Sequence, residues 1–148
     1  TFCNTMGNGF SSSIKKMNYE NIQDIVNGKI DCIIINTLNQ HEQECLISKT
    51  ILANVEEGLI NKLLYANKKK KILIYGKNNH DPRVYTKYNQ LNELGFTNVF
   101  IYVGGMFEWC LLQDIYGEEY FKTTSKVKDI LYYKPKSNLN NESLLLLT

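Results

Sequence analysis

The residues best placed to do chemistry lie in one short stretch, Gly76-Lys77-Asn78-Asn79-His80-Asp81, with Arg83 two positions on. It joins an aliphatic run, Ile72-Leu73-Ile74-Tyr75, to a segment that opens with Asp81-Pro82. Asp suits a helix N-cap and Pro the first helical position, so two start signals agree on a helix beginning there. A loop passing from a buried strand into a helix N-terminus can converge its backbone N–H groups, and the helix dipole adds positive character. Lys77 and Arg83 carry the same sign. The chemistry expected of Gly76, Lys77, Asn78, Asn79, His80, Asp81 and Arg83 is the holding of a small anion. The plainer reading is an exposed polar strand-to-helix turn, and loop geometry alone favours it.

The other reactive groups are dispersed. Cys3, Cys32, Cys45 and Cys110 show no short paired spacing, which argues against a zinc cluster and against a disulfide-stapled module. Cys32 opens a buried run, Cys45 follows it, and Cys110 sits behind Trp109. None heads a helix, where a thiolate would be activated, so all three read as structural. His41 and His80 are the two histidines, and neither has a ligand cluster near it in sequence. No metal and no cofactor are expected. Met6-Gly7-Asn8-Gly9-Phe10-Ser11 fits the myristoylation acceptor pattern. Gly7 is a lipidation site, giving reversible membrane attachment, only if Met6 is the native start.

Composition narrows the class. The 148 residues are 43% hydrophobic and 22% charged, enough to bury a core. The net charge of +2 gives no field for nucleic acid. No apolar run approaches the roughly 20 residues of a membrane-spanning helix, and no secretory leader is visible, so a cytoplasmic domain is expected. Lysine outnumbers arginine 16 to 1, and asparagine occurs 18 times. That bias resembles the output of an AT-rich gene, and it makes Arg83 stand out.

The elements that must position the loop follow from periodicity. Residues 1–16 read as a flexible leader. Asn18 caps a helix whose apolar face is Tyr19, Ile22, Ile25 and Val26, stopped by Gly28. Cys32-Ile33-Ile34-Ile35 is a strand apolar on both faces, as in the middle of a parallel sheet. Glu42–Ser48 is expected as a short helix, and Leu59, Ile60, Leu63 and Leu64 as the stripe of a longer one. Ile72–Tyr75 is the second strand. The helix from Asp81 turns Val84, Tyr88 and Leu91 inward, with Leu94 next on that face, and ends at Gly95. Val99–Val103 is the third strand, broken by Gly104-Gly105 ahead of a helix headed by Met106, Phe107, Trp109 and Leu112. Alternation at this spacing predicts an α/β fold with a parallel sheet. Beyond Thr123 the pattern fades. Val127, Ile130, Leu131, Tyr132 and Tyr133 are expected to lie back on the domain, and 134–148 to be mobile.

The stretches Ile72-Leu73-Ile74-Tyr75-Gly76, Leu94-Gly95-Phe96-Thr97-Asn98-Val99 and Gly104-Gly105-Met106-Phe107-Glu108-Trp109 together resemble a rhodanese domain. That family reads as an aliphatic strand ending in Cys, a helix ending in Leu-Gly-Phe, Asn-Val into a strand, then Gly-Gly and a Trp. The similarity covers about residues 17–115. It implies a three-layer α/β/α rhodanese-like domain with a central mostly parallel sheet at 17–123, followed by an extension at 124–148. It also exposes departures. Gly76 stands where the family carries its sulfur-accepting cysteine, Asn36 stands at the family's Asp, and Leu38 at its Arg. The loop is about two residues longer than in the compact sulfurtransferases. Arg83 falls near the loop arginine of the rhodanese-like phosphatases.

The resemblance with these departures implies a domain without its catalytic cysteine. A protein partner is expected, with a residual pocket for a small anion or an acidic side chain. The alternatives are a sulfurtransferase using a cysteine elsewhere in the chain, and a scaffold whose tail carries the interaction.

Overall fold

The computed structural model describes residues 14–139. Gly7, Cys3 and the sequence from 140 onward lie outside the described residues. The elements are α1 (Tyr19–Val26), β1 (Ile33–Asn36), α2 (Ala53–Ala66), β2 (Ile72–Tyr75), α3 (Pro82–Glu93), β3 (Val99–Tyr102) and α4 (Gly105–Tyr116). Single 3-10 turns cover Gln40–Glu42 and Ile130–Tyr133. The three strands are parallel in the order β1-β2-β3, with Ile33 opposite Ile72 and Ile72 opposite Val99.

Strand alternation sorts the core into two layers. Ile34, Leu73, Tyr75 and Tyr102 face one side, where Ile22, Ile25 and Val26 of α1 and Met106, Trp109 and Cys110 of α4 cover them. Ile35, Ile72, Ile74, Val99 and Ile101 face the other, under Ile60 of α2 and Val84, Tyr88 and Leu91 of α3. A continuous aliphatic strand is stable in water only with both faces covered in this way. The result is the three-layer α/β/α sandwich that the sequence implies. No helix among the described residues is long and apolar enough to cross a membrane.

Local signals explain the helix ends. Asn18 and Asn21 exchange side-chain-to-backbone hydrogen bonds of 3.1 Å each, a reciprocal cap for α1. Asp81 caps α3, with Pro82 as its first residue. Trp109 is fully buried in α4 and donates its indole N–H to the Lys122 carbonyl.

Three expectations need correction. Glu42–Ser48 is not a helix. Only Gln40–Glu42 turns, and the next residues pair with the chain after α4. Leu46 accepts from the Thr124 N–H at 2.8 Å, and Ser48 donates to the Lys122 carbonyl at 3.0 Å. Those backbone partners replace the ones a helix would supply. Leu94 is 44% exposed because it is the C-cap of α3, already turning away from the sheet. Lys15 and Lys16, at the end of the leader, lie along β3: the Ile101 N–H donates to the Lys15 carbonyl at 3.0 Å, and Lys16 bridges to Ile101.

Gly104-Gly105 has a packing reason. Gly105 sits at φ +63°, and a Cβ there would stand 2.6 Å from the Gly76 carbonyl oxygen. The α4 N-terminus thereby comes close enough for the Met106 and Phe107 N–H groups to donate to the Gly76 and Lys77 carbonyls at 3.0 Å each. Gly105→Ala is expected to cost roughly 2–4 kcal/mol, combining left-handed backbone strain with overpacking. Urea denaturation measures this, and unchanged stability would contradict the close approach.

Candidate functional site

β2 delivers the chain at Gly76 and α3 receives it at Pro82, so the loop between them sits at the carboxyl end of the sheet, where open α/β sheets bind ligands. Gly76, Asn78 and Asp81 are buried, Lys77 and Arg83 half-buried, and Asn79 and His80 exposed at the tip.

The Asp81 carboxylate is turned into the loop. Its Oδ1 accepts from the Arg83 N–H at 3.1 Å and from Arg83 Nε at 2.8 Å. Its Oδ2 accepts from the Lys77 N–H at 3.0 Å, from Arg83 Nη2 at 2.8 Å and from Thr37 Oγ1 at 3.4 Å. The loop therefore already holds an anion, and that anion is its own side chain. A Cβ on Gly76 would collide with this carboxylate and would stand 2.6 Å from a Val84 methyl. The space beyond Gly76, where a cysteine side chain would extend, is filled.

A second buried carboxylate completes the cluster. Glu42 Oε2 pairs with Lys77 Nζ at 2.9 Å, and its Oε1 takes the Asn39 N–H at 2.8 Å and Arg83 Nη1 at 3.4 Å. Lys77 Nζ also lies 4.6 Å from the centroid of the Tyr132 ring. Asn78 donates its side-chain amide to the Tyr133 carbonyl at 2.9 Å and accepts from the His80 N–H at 2.9 Å. The 3-10 turn after β1, the loop, α3 and the C-terminal segment thus meet at one point.

The cluster sets the protonation states. Burial alone would push Asp81 up; the hydrogen bonds from the Arg83 side chain and from the Lys77 and Arg83 N–H groups outweigh it and hold Asp81 below the usual carboxylate range. Glu42 goes the same way: burial opposes, and the Asn39 N–H and Lys77 prevail. Bonded to Asp81, the Arg83 guanidinium is raised above its ordinary value.

Over the loop lies a cleft of about 480 Å³, whose wall includes Lys77, Arg83, Lys134, Lys136, Glu42 and Asp81. Lys77 and Arg83 are paired with the two carboxylates. Among the described residues Lys134 and Lys136 have no ion-pair partner, so they leave the cleft cationic. Asn79 does not line it, whereas His80 does.

The remaining site positions are uncharged. Asn36 is buried with its Oδ1 on the Leu38 N–H at 3.0 Å, and its Nδ2 has no partner. Leu38 is core. Cys32 is half-buried, its thiol pushed up to about 11 by burial. Cys45 and Cys110 are buried in the α1/α4 layer. None of these three cysteines lines the cleft over the loop. Among the described residues no group of three or more His, Cys, Asp or Glu is arranged to hold a metal ion.

Sequence reasoning identified Asp81 as a helix cap but not as the occupant of the loop. The available signal was the combination of a side-chain-free Gly76 with Arg83 two residues past the cap. Glu42 gave no signal, since its partners lie 35 and 41 positions away.

A family model described as rhodanese-like domain matches residues 32–112. No curated protein matches the sequence significantly. Among solved structures, the BH2092 protein of Bacillus halodurans is similar at 18% identity and a TM-score of 0.57, covering 95% of this chain and 97% of its own. The rhodanese-like domain of the Anabaena sp. Alr3790 protein aligns at 18% identity and a TM-score of 0.50, covering 85% and 94%. A thiosulfate sulfurtransferase from Pseudomonas aeruginosa aligns at 16% identity and a TM-score of 0.53, covering 66% of this chain and 19% of its own. At these identities the structural likeness speaks to the fold.

The two depressed carboxylates tie stability to pH. They bind fewer protons folded than unfolded, so their stabilisation is complete above the unfolded carboxylate values near ~4 and is lost as pH falls through the lower folded values. The urea midpoint is expected to drop between about pH 5 and about pH 3, and Asp81→Asn to flatten that drop. A wild-type midpoint independent of pH across that window would contradict the ion cluster.

Proposed function

The chain belongs to the rhodanese-like domain family, and from that premise we propose that it is a non-catalytic member that recognises a protein partner through the cationic cleft over the Gly76–Asp81 loop. The observation that carries this reading is the Asp81 carboxylate lodged beyond a side-chain-free Gly76. Sulfur transfer through this loop needs a thiolate at its head and free N–H groups to hold the charge that arrives. Gly76 supplies no sulfur, and the Lys77 N–H is committed to Asp81.

What the cleft retains is charge. Lys134 and Lys136 stand exposed on its rim, above a floor in which Lys77 and Arg83 are neutralised by Glu42 and Asp81. A fixed, neutral floor with a cationic rim suits an acidic side chain or the phosphate of a partner segment, held by the rim and excluded from the floor. Exposed lysines make such contacts salt-sensitive and individually modest.

Two experiments test the reading. Thiosulfate-to-cyanide sulfur transfer by the full chain is expected to be absent, and Gly76→Cys alone to stay silent because Asp81 and Val84 occupy the space. Wild-type turnover would overturn the proposal in favour of a sulfurtransferase working through another cysteine. An acidic peptide carrying a phosphoserine, used as a probe, is expected to bind about tenfold more weakly to a Lys134→Glu/Lys136→Glu variant, the sort of loss that two reversed charges produce. Equal affinity would remove this cleft from the account.

A further inference from the structure

The end of the sheet opposite the loop carries a different surface. Residues 67–71 form the turn into β2 and include four consecutive lysines, Lys68 to Lys71. The backbone of this turn is pinned. The Thr97 N–H donates to the Lys68 carbonyl at 3.1 Å, the Asn98 side-chain amide to the Lys69 carbonyl at 2.7 Å, and the Lys69 N–H to Asn67 Oδ1 at 3.0 Å. Lys15 is brought to the same rim, where its Nζ donates to the Thr97 carbonyl at 2.9 Å.

Little of this charge is neutralised. Asp31 pairs with Lys70 at 2.7 Å. Among the described residues Lys15, Lys68, Lys69 and Lys71 have no ion-pair partner, and all four are exposed. Five lysines against one aspartate give the rim more positive charge than the +2 of the whole chain. Like charges fixed side by side repel one another, and a bound anion relieves that repulsion. An aromatic ring stands beside them: Tyr65, in the last turn of α2, is 90% exposed. The rim offers no groove. None of the five clefts of about 470 to 640 Å³ is lined by Lys15, Tyr65 or any of Lys68 to Lys71.

We propose that this rim docks on an anionic lipid surface, with Lys15, Lys68, Lys69 and Lys71 as the charged contacts and Tyr65 as an interfacial anchor. Lysine ammonium groups are point charges that need no geometric match, and each is drawn to a negative headgroup layer within a Debye length. A tyrosine suits the boundary because its ring is apolar and its hydroxyl wet. A nucleic-acid strand would call for a groove that tracks its backbone, and for guanidinium forks at its base edges. The rim has neither a groove nor an arginine. The leader joins the fold here at Lys15. An acyl chain on Gly7, where Met6 is the native start, would therefore be tethered at this rim and supply the second signal that stable attachment needs.

The test floats the full, unacylated chain with vesicles of phosphatidylcholine alone or mixed with phosphatidylserine. Binding is expected to the mixed vesicles only, and to weaken as salt rises. Lys68→Glu/Lys69→Glu is expected to weaken it about tenfold or more, and Tyr65→Ser to weaken it without changing its salt dependence. A charge-matched variant on the C-terminal extension, Lys126→Glu/Lys128→Glu, is expected to keep most of the binding. A wild-type chain indifferent to phosphatidylserine would overturn the proposal, as would equal losses in the two charge-matched variants. Displacement from the vesicles by an equimolar single-stranded oligonucleotide would overturn it in favour of nucleic acid. The wild-type readout does not depend on any variant folding, and it is independent of sulfur transfer or peptide binding at the cleft over the loop.

Discussion

The Asp81 carboxylate collects five donors within four residues of loop and one neighbouring strand end: two from the Arg83 side chain, the Arg83 and Lys77 N–H groups, and the Thr37 hydroxyl. A buried carboxylate without such partners would cost several kcal/mol and would protonate instead. With them it stays charged and dictates the rest. It fixes the curl of the loop and recruits Arg83, whose outer nitrogen reaches Glu42. Glu42 in turn holds Lys77, so four side chains from three parts of the chain become one interlocked group.

The scaffold exists to make that meeting precise enough. β2 and α3 aim the loop, and α4 supports it from below through the Met106 and Phe107 N–H groups, which only a glycine at position 105 lets come so near. Asn78 then fastens the C-terminal segment through the Tyr133 carbonyl. The loop thus carries its own anion, the Asp81 carboxylate. The side-chain-free Gly76 and the turned-in aspartate are two aspects of one arrangement, because a side chain at position 76 and the carboxylate of Asp81 would compete for the same volume.

Much of the scaffold was legible from residue types. Aliphatic strands such as Ile72–Tyr75 permit only burial on both faces, and Asp81-Pro82 starts a helix through two independent local rules. Resemblance across Leu94–Val99 and Gly104–Trp109 carried the fold. What stayed hidden depends on contacts distant in sequence. The segment after Glu42 has a helical composition, but its backbone is claimed by residues 122–124. Glu42 carries no local mark of its pairing with Arg83. Asp81 was visible as a cap, and a cap normally points its oxygens only at its own helix. The additional bond to Lys77 arises because Gly76 leaves room for it.

The central claim is that Asp81 is locked into the loop as its resident anion. Carbon-13 NMR of the Asp81 side-chain carboxyl, followed through an acid titration and assigned with Asp81→Asn, measures this at the atom concerned. A titration midpoint below the ordinary aspartate value near ~4, with the Lys77 and Arg83 N–H signals moving in step, is the predicted result. A midpoint at or above that value, with those N–H signals indifferent to it, would mean that the carboxylate is free in water and the loop stands open.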